Sequence, residues 1–197
     1  MNKTLFAVAL MTAAVTPAMA DSGQDRGAYL VGIAGQTTNI SNVDSGTSLS
    51  GLIGYRFNSV LAVEGGMVLL AEKANYTVPP VGYTGVGSTY TSTSLSGAEA
   101  AAKLSLPLTN WFAVFARAGF TSMSRSNTPS PAEVEVSWKG STYGVGAQIT
   151  LPYEFAIGGN RMRIGFRAGI NKYNLQDVTG TLTETPSNTY VAGVILF

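Results

Sequence analysis

The last ten residues of the chain, Asn188 to Phe197 (NTYVAGVILF), constrain its fold more than any other stretch. They carry no charge and no helix cap, and they end on an aromatic carboxy-terminal residue. Read in twos, Val191, Gly193, Ile195 and Phe197 form one face, and Tyr190, Ala192, Val194 and Leu196 the other. Left at a sheet edge, such a strand would template aggregation, because unpaired N–H and C=O groups would sit among apolar side chains. Two environments remove that hazard. One is a core that buries the strand; the other is a closed barrel whose outer face meets lipid.

Seven earlier segments share the period of two, each about the length of a tilted membrane strand, and no helix-period face persists. In Gly27–Thr37 the more apolar face is Tyr29, Val31 and Ile33, against Gly32, Ala34 and Gln36. Thr47–Phe57 sets Leu49, Ile53, Tyr55 and Phe57 against Ser48, Ser50, Gly54 and Arg56. Val60–Lys73 sets Leu61, Val63, Met67 and Leu69 against Glu64, Gly66 and Glu72. Thr91–Leu106 places alanines and leucines opposite Gly97, Glu99, Lys103 and Ser105. Its stretch Ala98–Lys103 has good helix propensity. The polar residues before it, Pro107 after it and the shared parity of its charges favour a strand. Trp111–Ser124, Trp138–Leu151 and Arg161–Leu175 continue the pattern, with Phe112, Phe120, Val145, Ile149, Ile164 and Phe166 on the apolar side. Arg117, Gln148, Arg163 and Arg167 lie among glycines on the other.

The connections alternate short and long. Turns at 58–59, 107–110 and 152–160 fall at one end, and longer polar segments at 38–46, 74–90, 125–137 and 176–187 fall at the other. With the start of the barrel in the periplasm, the short turns lie inside the cell envelope and the long loops outside the cell. That sorting is the outer-membrane pattern. The expected fold is all-β: an eight-stranded antiparallel up-and-down transmembrane β-barrel spanning residues 21–197.

The wet face separates this barrel from a soluble exported ligand-binding barrel, which would enclose the apolar parity. Glycine is concentrated on the charged parity, leaving room inside for long arginines. Aromatics on the apolar parity (Tyr29, Tyr55, Phe57, Phe112, Phe197) fall near strand ends, as interface girdles require. Eight strands enclose an interior just wide enough for side chains to fill. Charges there must pair, since an isolated buried ion costs several kcal/mol. Glu64, Glu99, Lys103, Arg117, Arg163 and Arg167 are therefore expected to form an ionic network closing the interior. Glu64 should lie beside Lys103 and Glu99 beside Arg117, with Arg167 across the lumen from Arg117.

Composition narrows the chemistry. Lys3, an apolar run from Leu5 to Val15, and Ala18-Met19-Ala20 read as a signal peptide over residues 1–20, too short to span a bilayer. Acidic and basic side chains balance after it, so no bulk field recruits nucleic acid. Charged residues are 12% of the chain, about half the share usual in soluble domains. There is no cysteine, so disulfides do not hold the fold, and no histidine to serve as general base or metal ligand.

The A-x-A leader, the alternating strands and the closing YVAGVILF resemble small Gram-negative outer-membrane barrels, of the kind of the outer membrane protein A transmembrane domain and the outer membrane protein X/Ail group. The resemblance implies location in the cell outer membrane, contact with lipid and lipopolysaccharide, and delivery by periplasmic chaperones. It implies that the barrel-assembly machinery reads Phe197, with Ile195 and Val191 as same-face partners. Enzymes of similar architecture rely on an active-site histidine that this chain lacks, and no serine–lysine motif replaces it. No enzyme and no cofactor are expected. The expected role is structural or surface-interactive, as an adhesin or host-factor binder contacting host surface or matrix proteins. Tyr76, Tyr83 and Tyr90 are the candidate loop contacts, because tyrosine adds contact area at low entropy cost. A narrow ion-conducting channel is the alternative.

Overall fold

The computed structural model of the chain describes residues 26–39, 46–76, 89–128, 136–157 and 160–197. The predicted leader lies outside them. The strands are β1 (Gly27–Thr38), β2 (Gly46–Arg56), β3 (Leu61–Tyr76), β4 (Thr89–Pro107), β5 (Phe112–Thr128), β6 (Val136–Ile157), β7 (Asn160–Asp177), the two-residue β8 (Thr183–Glu184) and β9 (Ser187–Leu196). Each long strand pairs antiparallel with its chain neighbour, and β9 closes the ring. Its register runs from Tyr29↔Leu196 to Thr38↔Ser187 on β1, and from Arg163↔Leu196 to Lys172↔Ser187 on β7. The result is a closed eight-stranded antiparallel barrel, with β8 a short addition on β7.

The periplasmic turns are short because side chains hold them. Asn58 Oδ1 accepts from the amides of Val60 (2.9 Å) and Leu61 (2.7 Å). Thr109 Oγ1 does the same for Trp111 and Phe112. Such side chains offer the backbone a ready-made turn. The third differs from the expected open turn over 152–160. Strand pairing continues to Ile157↔Asn160, with a register shift between Thr150 and Glu154. Pro152 sits in that shift; it has no N–H to give the ladder, so the strand bulges and then resumes. At the other end pairing also outruns expectation. Tyr76↔Thr89 is a ladder pair, so Tyr76 and Tyr90 lie on strands rather than in the loop, and Tyr83 lies outside the described residues.

From β2 to β7 and on β9 the two faces are as read from the period of two. Phe120 is 78% exposed on the outer surface and Phe166 56%, whereas Arg167 is 2% exposed inside. β1 is the exception. Tyr29, Val31 and Ile33 point into the lumen, and the lipid side carries Leu30, Gly32 and Ala34. Tyr29 therefore leaves the girdle. Tyr55 with Phe57 and Trp111 with Phe112 make its periplasmic aromatic pairs. The inner glycines also serve differently from expectation. The Tyr29 ring lies over Gly54, the Phe115 ring over Gly146 and Asn171 over Gly144, so glycine makes room for rings and an amide more than for arginines.

β4 and β7, at 19 and 18 residues, far exceed the about 9–11 residues that a tilted crossing needs. Their outer ends leave the hydrocarbon, and the faces exchange polarity there. Outward positions change from Ala98, Phe120 and Ile170 to exposed Ser96, Ser122, Lys139 and Lys172. Inward positions become apolar: Leu70, Leu95, Met123, Trp138, Tyr173 and Leu175 pack with Val68 as one buried cluster.

Gly54→Ala should destabilise the barrel by about 1–3 kcal/mol, because its Cβ would enter the Tyr29 ring. Gly51→Ala, on the outer face with nothing within 4 Å of its Cβ, should stay within about 0.5 kcal/mol of the parent. Urea unfolding in lipid vesicles distinguishes them.

Candidate functional site

The lumen's periplasmic half is organised by one carboxylate. Glu64, on β3, accepts from Tyr29 Oη (2.8 Å) and from Arg167 Nη1 (2.8 Å), which reaches it from β7 on the opposite wall. Arg117 Nε lies 3.6 Å from its second oxygen and Lys103 Nζ 4.0 Å from its first. Arg117 also donates to Glu99 at 2.6 Å. The two links Glu99–Arg117 and Arg117–Glu64 thus join β3, β4 and β5, and Arg167 carries the network across to β7.

These five side chains share one cluster because alternation points all of them inward, and register sets their heights. Glu64 pairs in the ladder with Ala101, two positions from both Glu99 and Lys103, and Lys103 is itself paired with Arg117. All five are buried. Arg163 lies on the same inward face four residues toward the periplasm, half-buried, opposite Leu196 and Glu154 in register. Sequence reasoning missed three members. Tyr29 was placed on the outer face. Gln148 Oε1 accepts from Lys103 (3.1 Å) and Arg167 (3.2 Å), and the Phe115 ring faces both cations, its centroid 5.2 Å from Lys103 Nζ and 4.9 Å from the Arg167 guanidinium carbon. Gln148 was visible as the polar residue beside the inner glycines; nothing in β5 alone singled out Phe115.

The outer rim is built around the β7–β9 connection. Asp177 Oδ1 accepts from the amides of Thr181 (2.8 Å) and Leu182 (3.1 Å), and the Thr179 hydroxyl donates to Oδ2. Those bonds, the Thr179 hydroxyl's foremost, hold the Asp177 carboxyl below the usual aspartate range. Gly180, at φ 71°, supplies the left-handed residue that the turn needs. The connection then folds inward: β8 pairs with Leu175 and Gln176, and Glu184 meets Arg125 of β5 at 3.0 Å. Val178 and Leu182 remain exposed on the turn.

Val191 and Ile195 of β9, and Phe197 just after it, share the outer face at the closing seam. Among the described residues no group of histidine, cysteine, aspartate or glutamate side chains could hold a metal ion.

A closed barrel with an apolar outer band, aromatic pairs at its periplasmic edge and charges sealed inside is the architecture of an integral outer-membrane protein. Residues 6–189 match the outer membrane protein beta-barrel domain family, and the chain belongs to it. No curated protein sequence matches the chain. Neisserial surface protein A has a similar fold at 15% identity and a TM-score of 0.53, over 86% of this chain and 94% of that one. Ail, the attachment invasion locus protein of Yersinia pestis, is similar at 13% identity and a TM-score of 0.53, over 87% of this chain and 97% of that one.

Removing one partner of a buried ion network leaves a charge stranded, which costs about 3–5 kcal/mol. Glu64→Ala and Arg117→Ala should each lower unfolding stability in vesicles by that amount. Unchanged urea midpoints would show that the charges are solvated rather than paired.

Proposed function

We propose that this chain is a sealed outer-membrane barrel whose role is structural or surface-interactive, with attachment to host surface or matrix proteins made by its outer loops. It has no catalytic role in this reading. Residues 1–20 act as a cleaved signal peptide, and periplasmic chaperones deliver residues 21–197 to the barrel-assembly machinery. Phe197, Ile195 and Val191 are the side chains it reads. Lipid and lipopolysaccharide surround the finished barrel, and the network of Glu64, Glu99, Lys103, Arg117 and Arg167 closes its interior, with Arg163 beneath it.

The observation that carries the surface role is the turn after β7. Val178 and Leu182 stand in water on a backbone held by Asp177, Thr179 and Gly180. An apolar pair on a rigid support binds without a large ordering cost. The name of Ail, whose fold is similar, records attachment and invasion for that protein. Tyr76 and Tyr90, at the base of the β3–β4 hairpin, and Tyr83 are the second candidate contact.

Bacteria displaying the protein should adhere to host cells or matrix. The pair Val178→Ser and Leu182→Ser should lower adhesion severalfold while the unboiled protein keeps its folded gel migration. Removing residues 77–88 together with Tyr76→Ser and Tyr90→Ser tests the tyrosine segment separately. Adhesion that survives both changes leaves the structural role alone. A narrow channel predicts stable conductance in planar bilayers, whereas the sealed lumen predicts none.

A further inference from the structure

On the outer face of β6 and β7 the apolar band ends in two lysines. β7 runs outward through Ile164, Phe166, Ala168 and Ile170 to Lys172, and β6 through Ile149, Val145 and Tyr143 to Ser141 and Lys139. The ladder sets Lys172 opposite Tyr143, Asn174 opposite Ser141 and Gln176 opposite Lys139, with Ser122 of β5 on the other side of Lys139. Tyr143 and Lys139 are four residues apart, so the lysines stand about 13 Å from each other along the strand direction. Ser141 and Asn174 lie between them.

Both lysines are exposed, and among the described residues no ion pair engages either one. Asp177, opposite Trp138, spends its carboxylate on the amides of Thr181 and Leu182 and on the Thr179 hydroxyl. The patch is one-sided: the outer ends of β1, β2 and β9 present exposed Thr38, Thr47 and Thr189 instead. Lysine stems lie along apolar surface and carry their ammonium groups toward the polar layer. A membrane lipid meets this face in two parts. Its chains meet Phe120, Val145 and Ile170, all exposed. Its headgroup meets two ammonium groups, a hydroxyl and an amide. Those donors complement a phosphate, and a neutral headgroup leaves their charge unanswered.

We infer that the Lys139–Lys172 patch is a docking site for an anionic lipid, whose phosphate-bearing headgroup lies over Ser141 and Asn174 and whose chains lie on the apolar band beneath. The inference deepens the reading of the chain as a barrel surrounded by lipid, and rests on it. The rim turn and the outer loops take no part.

Two-dimensional NMR of the folded protein in micelles of a neutral detergent tests it, with phosphatidic acid as the probe. Added phosphatidic acid should move the amide signals of Lys139, Ser141 and Asn174 saturably and leave those of Thr38 and Thr47 in place. Phosphatidylcholine of the same chain length, and inorganic phosphate at the same concentration, should produce no such saturable shift. A lysine beside an anionic headgroup is worth about fivefold in affinity. Lys139→Gln and Lys172→Gln should therefore each weaken binding severalfold, and the pair by about tenfold or more, with folded gel migration unchanged. A doxyl-labelled fatty acid, which broadens amides facing hydrocarbon, checks the apolar band separately at Val145 and Ile170. Absence of that broadening overturns the barrel's place in lipid. Broadening without a phosphatidic acid response, an equal response to phosphatidylcholine or inorganic phosphate, or a response kept by the double variant overturns the lysine site alone.

Discussion

Hydrocarbon has no hydrogen bonds to offer, and that constraint shapes the chain from end to end. Every amide and carbonyl of a membrane strand must find a partner on a neighbouring strand, so the sheet cannot end. β9 meets the requirement by pairing along its whole length with β7 on one side and β1 on the other. Closure then dictates the rest. An antiparallel ring of this size points alternate side chains at lipid and at a narrow lumen, and each strand needs two chemistries in strict alternation. An uncharged terminal strand that would be a hazard at any open edge becomes the piece that removes the edge.

Each face answers to whatever solvent it meets, and that changes along the strand. Within the bilayer Phe120, Val145 and Phe166 face out while Glu64, Arg117 and Arg167 face in. Above it, Ser122, Lys139 and Lys172 face out, and Leu95, Met123, Trp138 and Leu175 fill the interior. The molecule is a membrane barrel carrying a short water-soluble barrel on its outer end, built from the same strands without a break. The two interiors hold differently. The apolar layer gains directly from burial. The ionic layer gives little net stability over a well-packed apolar substitute, yet losing any one member is costly. Its sharing of Glu64 among cations from three strands penalises any register shift that would part them.

Legibility followed the same division. Parity on β2 to β7 could be read because charges and large apolar side chains alternate there without ambiguity, as Glu99, Lys103 and Arg117 do against Leu104 and Phe120. β1 has no charge between Gly27 and Thr38, so hydropathy ranked Tyr29, Val31 and Ile33 above Leu30 and Ala34 and chose the wrong outer face. What settles β1 is its register with other strands. Leu30 pairs with Ile53 and with Ile195, both lipid-facing, and Tyr29 pairs with Gly54, whose missing side chain admits its ring. No reading of β1 alone contains that information. The continuation of β6 past Pro152 was hidden because a proline in a strand reads as its end. The bridge from Arg125 to Glu184 joins residues far apart in the chain, and nothing local announces it.

The arrangement separates strength from surface chemistry. Turns held by Asn58 and Thr109, the closing seam and the ionic layer all lie in or below the bilayer. The turn at Asp177 instead draws its rigidity from its own hydrogen bonds and from β8 on the rim. Changes at Val178 or Leu182 therefore alter what the rim presents without reaching Glu64 or the seam. Loops carry function on scaffolds that tolerate their variation, and here the tolerance has a physical source. The apolar cluster around Trp138 stands between the rim and the charges below, so the rim turn shares no hydrogen bond or ion pair with Glu64 or Arg117.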